Sequence, residues 1–186
     1  RLGRAAQLAE QAVQLAPDHT NAYALLGNIY VRQRRNADAA AIYQEGLRTD
    51  PDRVDLYRKL AIAHADDGRY SEAIKTLQQA LERAADDPAI HYNLGVIYER
   101  QAQYDNASDA FIRTTELDTT YGDAYFRLGQ IQSKQGQVAG AASNFARVIR
   151  LRPDYAPPYI GLGQIFVQQG RLDEAERLFK QAATID

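Results

Sequence analysis

The sequence predicts an all-α solenoid built from antiparallel helix pairs, and three recurrences carry that expectation. A small residue preceded by leucine returns every 34 residues, at Leu26-Gly27, Leu60-Ala61, Leu94-Gly95, Leu128-Gly129 and Leu162-Gly163. An aromatic or histidine stands four residues earlier, at Tyr23, Tyr57, His91, Tyr125 and Tyr159. An alanine follows twelve residues later, at Ala39, Ala73, Ala107, Ala141 and Ala175. A fixed period of this length marks stacked supersecondary units that share one continuous core, so composition-based domain counting does not apply.

Placing the small residue eighth gives units 20–53, 54–87, 88–121, 122–155 and 156–186. Residues 1–19 precede them as the second helix of a truncated unit, because Ala5, Ala12 and Pro17 match Ala39, Gly46 and Pro51. The expectation is a single array over 1–186 with eleven helices: one orphan, then five pairs. Tyr23, Leu26, Gly27 and Tyr30 recur at the spacing of one helix face. A break follows, with glycine at Gly68, Gly136 and Gly170, where Arg34 and Ala102 replace it. Glycine there lets one helix end and the next begin at low cost. A turn this short forces the two helices antiparallel.

The small eighth residue permits a close helix crossing, despite glycine's cost of ~1 kcal/mol in a helix. Gly129→Leu is therefore expected to overpack its crossing. On the second helix, larger residues fill the remaining space at Tyr43, Leu77, Phe111, Phe145 and Phe179. Proline closes second helices at Pro17, Pro51 and Pro153, where its missing N–H disfavours continuation. In the second unit Ala85 stands there and proline waits until Pro88, so that helix is expected to run on by up to a turn. Gly46 is expected to loosen its helix, and Thr114 and Val148 to demand room at the packing seam. Both ends cut through the pattern, with Asp186 one residue before the next expected proline, which reads as a fragment of a longer protein. Ala5 and Ala9 at one end, and Ala183 and Ile185 at the other, are expected to lack cover and to favour end-to-end contact.

Composition narrows the function classes. Formal charge is -2, with 22 basic and 24 acidic residues, so the basic excess of a nucleic-acid binder is missing. Arg147, Arg150 and Arg152 form the densest basic patch and read as a solvated helix end. No run approaches the ~20 apolar residues of a membrane span, so direct membrane insertion is not expected. The lack of cysteine excludes disulfides and thiolate sites, but does not separate cytoplasm from periplasm; localisation stays unknown, with cytoplasm favoured. His19 lies between helices, while His64 and His91 replace packing aromatics. With no phosphate loop, nucleophile elbow or ligand spacing, the reading is no enzyme, no cofactor and no metal.

The set Tyr23, Leu26-Gly27, Tyr30, Ala39, Tyr43 and Pro51 resembles the signature of the tetratricopeptide repeat, and Tyr159, Leu162-Gly163, Phe166, Gly170, Ala175, Phe179 and Ala182 repeat it. Ala61, His64 and Gln132 depart from it without disturbing the rest. The resemblance implies a right-handed superhelix with first helices on its concave side. Residues away from the Leu–Gly edge would then line a peptide-binding groove. Tyr92, Val96, Phe126 and Ile160 form an apolar strip that Ile62 extends, with Tyr121 and Tyr155 near the unit boundaries. Arg58, Asn93, Arg100 and Arg127 flank it, and Gln130 and Gln164 occupy ninth positions. These residues are either local packing contacts or a recognition surface. Some relatives clamp a C-terminal carboxylate; Arg58, Asn93 and Arg127 match that pattern, whereas Ile62 and Asp123 break it. The function expected is a protein-interaction scaffold or adaptor for a protein or peptide partner. The alternatives are a self-assembling module or the substrate-recognition arm of a larger enzyme.

Overall fold

A computed structural model describes residues 2–185; Arg1 and Asp186, with the expectations that fall on them, lie outside the described residues. The described chain consists of eleven helices: α1 (Leu2–Leu15), α2 (Thr20–Arg32), α3 (Asn36–Thr49), α4 (Val54–Asp66), α5 (Tyr70–Leu81), α6 (Pro88–Arg100), α7 (Tyr104–Leu117), α8 (Gly122–Lys134), α9 (Val138–Leu151), α10 (Pro157–Gln168) and α11 (Leu172–Ile185). They form paired helix-turn-helix repeats, and no strand occurs among the described residues. The chain divides into two compact units, Arg1–Gln101 and Ala102–Asp186, with the division at the turn inside the third repeat.

Each turn uses the backbone geometry its glycine announced. Gly68, Gly136 and Gly170 adopt φ of 77°, 74° and 74°. Arg34 and Ala102 take the same left-handed conformation at 60° and 57°, where a Cβ is strained. The repeat geometry overrides residue preference at those two turns.

Helix crossings explain the small eighth residue atom by atom. A Cβ on Gly27 would stand 2.2 Å from Tyr43 Cε1, and one on Gly163 2.7 Å from Phe179 Cε1. Phe145 is held on two sides: a Cβ on Gly129 would lie 2.9 Å from its Cε1, and one on Gly161 2.8 Å from its Cε2. The second repeat reaches the same density differently. Ala61 and Leu77 are fully buried there, a larger residue at the crossing set against a smaller one on the second helix.

Four details differ from the sequence reading or sharpen it. First, α5 does not run on; it stops at Leu81, whereas α3 and α7 each have 14 residues. The delayed proline starts the next helix instead, with Pro88 in its first turn and Asp87 Oδ1 accepting the Ala89 N–H at 2.8 Å. Proline suits that position because no helical donor is lost. Second, Gly46 does not interrupt α3: it is buried, and a Cβ there would meet Leu56 Cδ1 at 2.9 Å and Tyr23 Cβ at 3.0 Å. Third, Thr114 is fully buried and donates its hydroxyl to the Ala110 carbonyl at 2.9 Å, which satisfies the polar atom within its own helix. Fourth, α1 turns Ala6 and Ala9 into the core with Ala5 packed beside them, so Ala9 is covered and Ala5 half-buried. The large apolar residues that α1 exposes are Leu2, at 41%, Leu8, at 59%, and Leu15, at 86%.

The same kind of cluster forms separately at the tips of two repeats. The Arg35 guanidinium lies over the Tyr30 ring at 4.2 Å and donates to Asp38 at 2.7 Å. Arg171 covers Phe166 at 3.9 Å and donates to Glu174 at 2.6 Å. The corresponding residues of the second repeat are His64, Arg69 and Glu72. His64 is buried there, and its Nδ1 has no hydrogen-bond partner among the described residues. Burial, reinforced by the Arg69 charge, pushes its pKa below the ordinary histidine value.

Candidate functional site

Adjacent first helices leave an open groove between them in each unit. In the first unit, α2 contributes Leu25, Asn28, Ile29, Val31 and Arg32, α4 contributes Lys59 and Ile62, and Tyr43 of α3 forms the floor. The groove encloses about 510 Å³, within the range of small-ligand and side-chain pockets. Leu25, Asn28 and Arg32 fall on one face of α2 because helical neighbours recur at three and four residues. Tyr43 reaches the floor since Gly27 lets its ring pass, and its hydroxyl donates to Asn28 Oδ1 at 2.9 Å. Burial raises the Tyr43 pKa to about 12, so that hydroxyl stays a donor.

The second unit carries a counterpart of about 320 Å³ between α8 and α10. Phe126, Gln130, Ser133 and Lys134 form one wall, Pro157, Ile160, Gly161 and Gln164 the other, and Phe145 lies beneath. Phe126 meets Tyr155 edge-on with centroids 5.5 Å apart and Phe145 at 5.9 Å. Offset and edge-on aromatic contacts of this kind fix ring positions. The groove is therefore an apolar floor with two carboxamides, a hydroxyl and the Lys134 ammonium on its walls.

The expected site residues divide between these grooves and other places. Phe126, Gln130, Ile160 and Gln164 converge in the second unit, with Tyr155 behind Phe126. Ile62 lines the first groove. Tyr92, Asn93 and Val96 are half-buried on α6, and Tyr121 and Arg127 are half-buried at the start of α8 and on it. Two expected basic flanks are engaged within the chain: Arg58 faces Asp87 at 3.8 Å, and Arg100 donates to Asp66 at 2.6 Å. Asp123, which breaks the carboxylate-clamp pattern, accepts from Arg152 at 2.8 Å.

Sequence reasoning left Leu25, Asn28, Arg32, Tyr43 and Lys59 out of the candidate set. For four of them the signal was present, because the sixth, ninth and thirteenth positions of the first repeat and the sixth of the second face away from the Leu–Gly edge. Tyr43 gave no such signal, since its position reads as pure packing until the missing Cβ of Gly27 is seen to let it through.

Charge is uneven around the first groove. Asp55 accepts from Arg53 at 2.8 Å and from Lys59 at 3.2 Å. The Arg53 hydrogen bond, assisted by Lys59, holds the Asp55 carboxyl down at about 2. Among the described residues no cluster of three His, Cys, Asp or Glu side chains could hold a metal ion, and no helix is long and apolar enough to cross a membrane. No catalytic motif is evident in the sequence.

Repeated antiparallel helix pairs with grooves between first helices define a helical-repeat protein. Family models make the class specific. One model described as tetratricopeptide repeat matches residues 1–63 and 132–186, and a second matches 101–156. A model described as TPR repeat matches 63–102. The chain belongs to the tetratricopeptide repeat family. No curated protein matches the sequence.

Among solved structures, MamA is similar at 26% identity over 86% of this chain and 94% of that one, with a TM-score of 0.76. YrrB, described as a TPR protein with an unusual peptide-binding site, is 21% identical, covering 98% of this chain and 94% of that chain at a TM-score of 0.70. The pilF protein of Pseudomonas aeruginosa is 19% identical over 90% of this chain and 76% of that one, at a TM-score of 0.80. The last two bear on the fold alone. Repeats of this fold generally mediate protein and peptide interactions through the concave face lined by first helices.

Proposed function

We propose that this chain is a protein-interaction scaffold that holds a peptide segment or a helix of a partner protein against its first helices. The observation that carries the reading is the paired grooves, each an apolar floor with hydrogen-bonding side chains at equivalent repeat positions. Ile62 and Ile160 stand on their walls 39% and 40% exposed, a desolvation gain a partner can collect. Asn28, Gln130 and Gln164, all ninth in their repeats, can pair with the backbone of a bound segment. Rigid aromatic floors with polar rims are the arrangement in which a few anchors dominate binding energy.

Isothermal titration of the natural partner tests this. Phe126→Ala combined with Ile160→Ala should weaken binding by about 2 kcal/mol or more if the groove holds an anchor, with helicity retained. Unchanged affinity would move the interface off the grooves. Self-association lost in the same double variant would instead identify the partner as a second copy.

A further inference from the structure

The two grooves differ in charge, and the difference specifies a ligand. In the second unit the one cationic wall residue, Lys134, lies over the Tyr104 ring at 5.6 Å, and the other polar wall residues are neutral. In the first unit Arg32 and Lys59 line the groove and no acidic residue does. Among the described residues Arg32 has neither an ion-pair nor a hydrogen-bond partner. Lys59 has one, Asp55, but that carboxylate is already gripped by Arg53 at 2.8 and 3.2 Å. Arg53 and Lys59 thus share a single carboxylate, and Arg32, on the same apolar cleft as Lys59, has none. Asn28 adds to the imbalance: its oxygen is occupied by the Tyr43 hydroxyl, which leaves the amide N–H groups as donors toward the groove.

We infer that the first-unit groove recognises an acidic–apolar peptide segment, with an aliphatic side chain seated between Leu25 and Ile62 and a neighbouring carboxylate held by Arg32, Lys59 and the Asn28 amide. The inference rests on the groove reading above and names the chemistry of one of its two sites. Leu25 and Ile62 are both exposed on opposite walls, which leaves apolar surface for such a side chain to cover. Arg32 stands two turns along α2 from Leu25, about 10 Å, which an extended segment spans in about three residues and the reach of the Arg32 side chain shortens. The carboxylate is that of an acidic side chain within the segment, which presents two oxygens to these donors.

Methyl and side-chain amide NMR on the whole chain separates the outcomes. The probes are acetyl-Gly-Leu-Leu-Glu-Leu-Gly-amide, its Gln analogue, and acetyl-Gly-Leu-Leu with a free carboxylate. The Glu probe should shift the Asn28 amide and the Ile62 methyls, with a Kd about threefold or more below that of the Gln analogue, the scale of an exposed ion pair. That preference should shrink at 0.5 M salt, where the screening length is only a few ångströms. Arg32→Gln should remove most of the preference yet leave residual apolar binding and an unchanged circular dichroism spectrum. Tighter binding of the free-carboxylate probe than of the Glu probe would overturn the side-chain source and assign the carboxylate to a chain terminus. Equal binding of the Glu and Gln probes at Ile62 would overturn the carboxylate assignment and leave the groove as a binding surface. Absence of shifts at Leu25, Asn28 and Ile62 with every probe would overturn the site itself, while the partner titration at Phe126 and Ile160 judges the broader function independently.

Discussion

Gly27→Ala adds one methyl group at a crossing more crowded than those at Gly129 and Gly163. The new Cβ would sit 2.2, 2.6 and 2.7 Å from three atoms of the Tyr43 ring, so the ring must retreat by more than 1 Å to reach ordinary contact. It has little freedom to do so, being 1% exposed and tied to Asn28 by its hydroxyl. Overpacking typically costs ~1–3 kcal/mol, and loss of the hydrogen bond about 1 more. The better helix propensity of alanine returns ~1 kcal/mol. A net destabilisation of about 1–3 kcal/mol follows. Gly3→Ala is the matched control: a Cβ there meets nothing within 4 Å, so only the propensity gain remains and the variant should be slightly more stable.

The second repeat supplies the compensating design, alanine at the crossing with leucine opposite. Tyr43→Leu alone should cost about 2–4 kcal/mol through the cavity it leaves and the hydrogen bond it removes. Combined with Gly27→Ala, the two costs should overlap, giving a coupling of at least about 1 kcal/mol. Chemical denaturation midpoints, with hydrogen exchange on α2 and α3 to localise the loss, measure this in an array whose repeats need not unfold together. Costs that add within about 0.5 kcal/mol would refute the claim that Gly27 exists to admit Tyr43.

Two further predictions use the same coordinates. Ala102→Gly should stabilise and Gly68→Ala destabilise, each by about 1 kcal/mol in thermal melts, because φ is 57° at the first and 77° at the second. His64 has a depressed pKa in the folded chain, so its contribution to stability is complete above its ordinary value of 6.5 and is lost as pH falls below it. His64→Tyr should flatten that part of the pH–stability curve and place a ring under Arg69, as Tyr30 lies under Arg35.

The architecture was legible in the sequence because its determinants are local and repeat. A glycine at a crossing, an alanine opposite and a turn residue at fixed offset each leave a mark, and the repeats confirm one another. Single-copy decisions were harder to read. Pro88 reads equally as the end of one helix or the start of the next, and the Asp87 cap decides it. Gly161 carries no periodic signal, yet it shapes one wall of the second groove by admitting Phe145. Arg58 and Arg100 looked available because intrachain partners 29 and 34 residues away are invisible to spacing arguments. Asn28 and Arg32 acquire meaning only beside Tyr43 and Lys59, which the fold brings to them from other helices.

The central claim is that partners engage the first helices, and a photo-crosslinking residue placed at three equally exposed isoleucines tests it most directly. Ile62 and Ile160 lie on first helices at 39% and 40% exposure, and Ile112 lies on a second helix at 41%. With accessibility matched, position alone distinguishes them. The account predicts that the natural partner is captured from positions 62 and 160 and not from 112. Capture from 112 alone, or equally from all three, would contradict it.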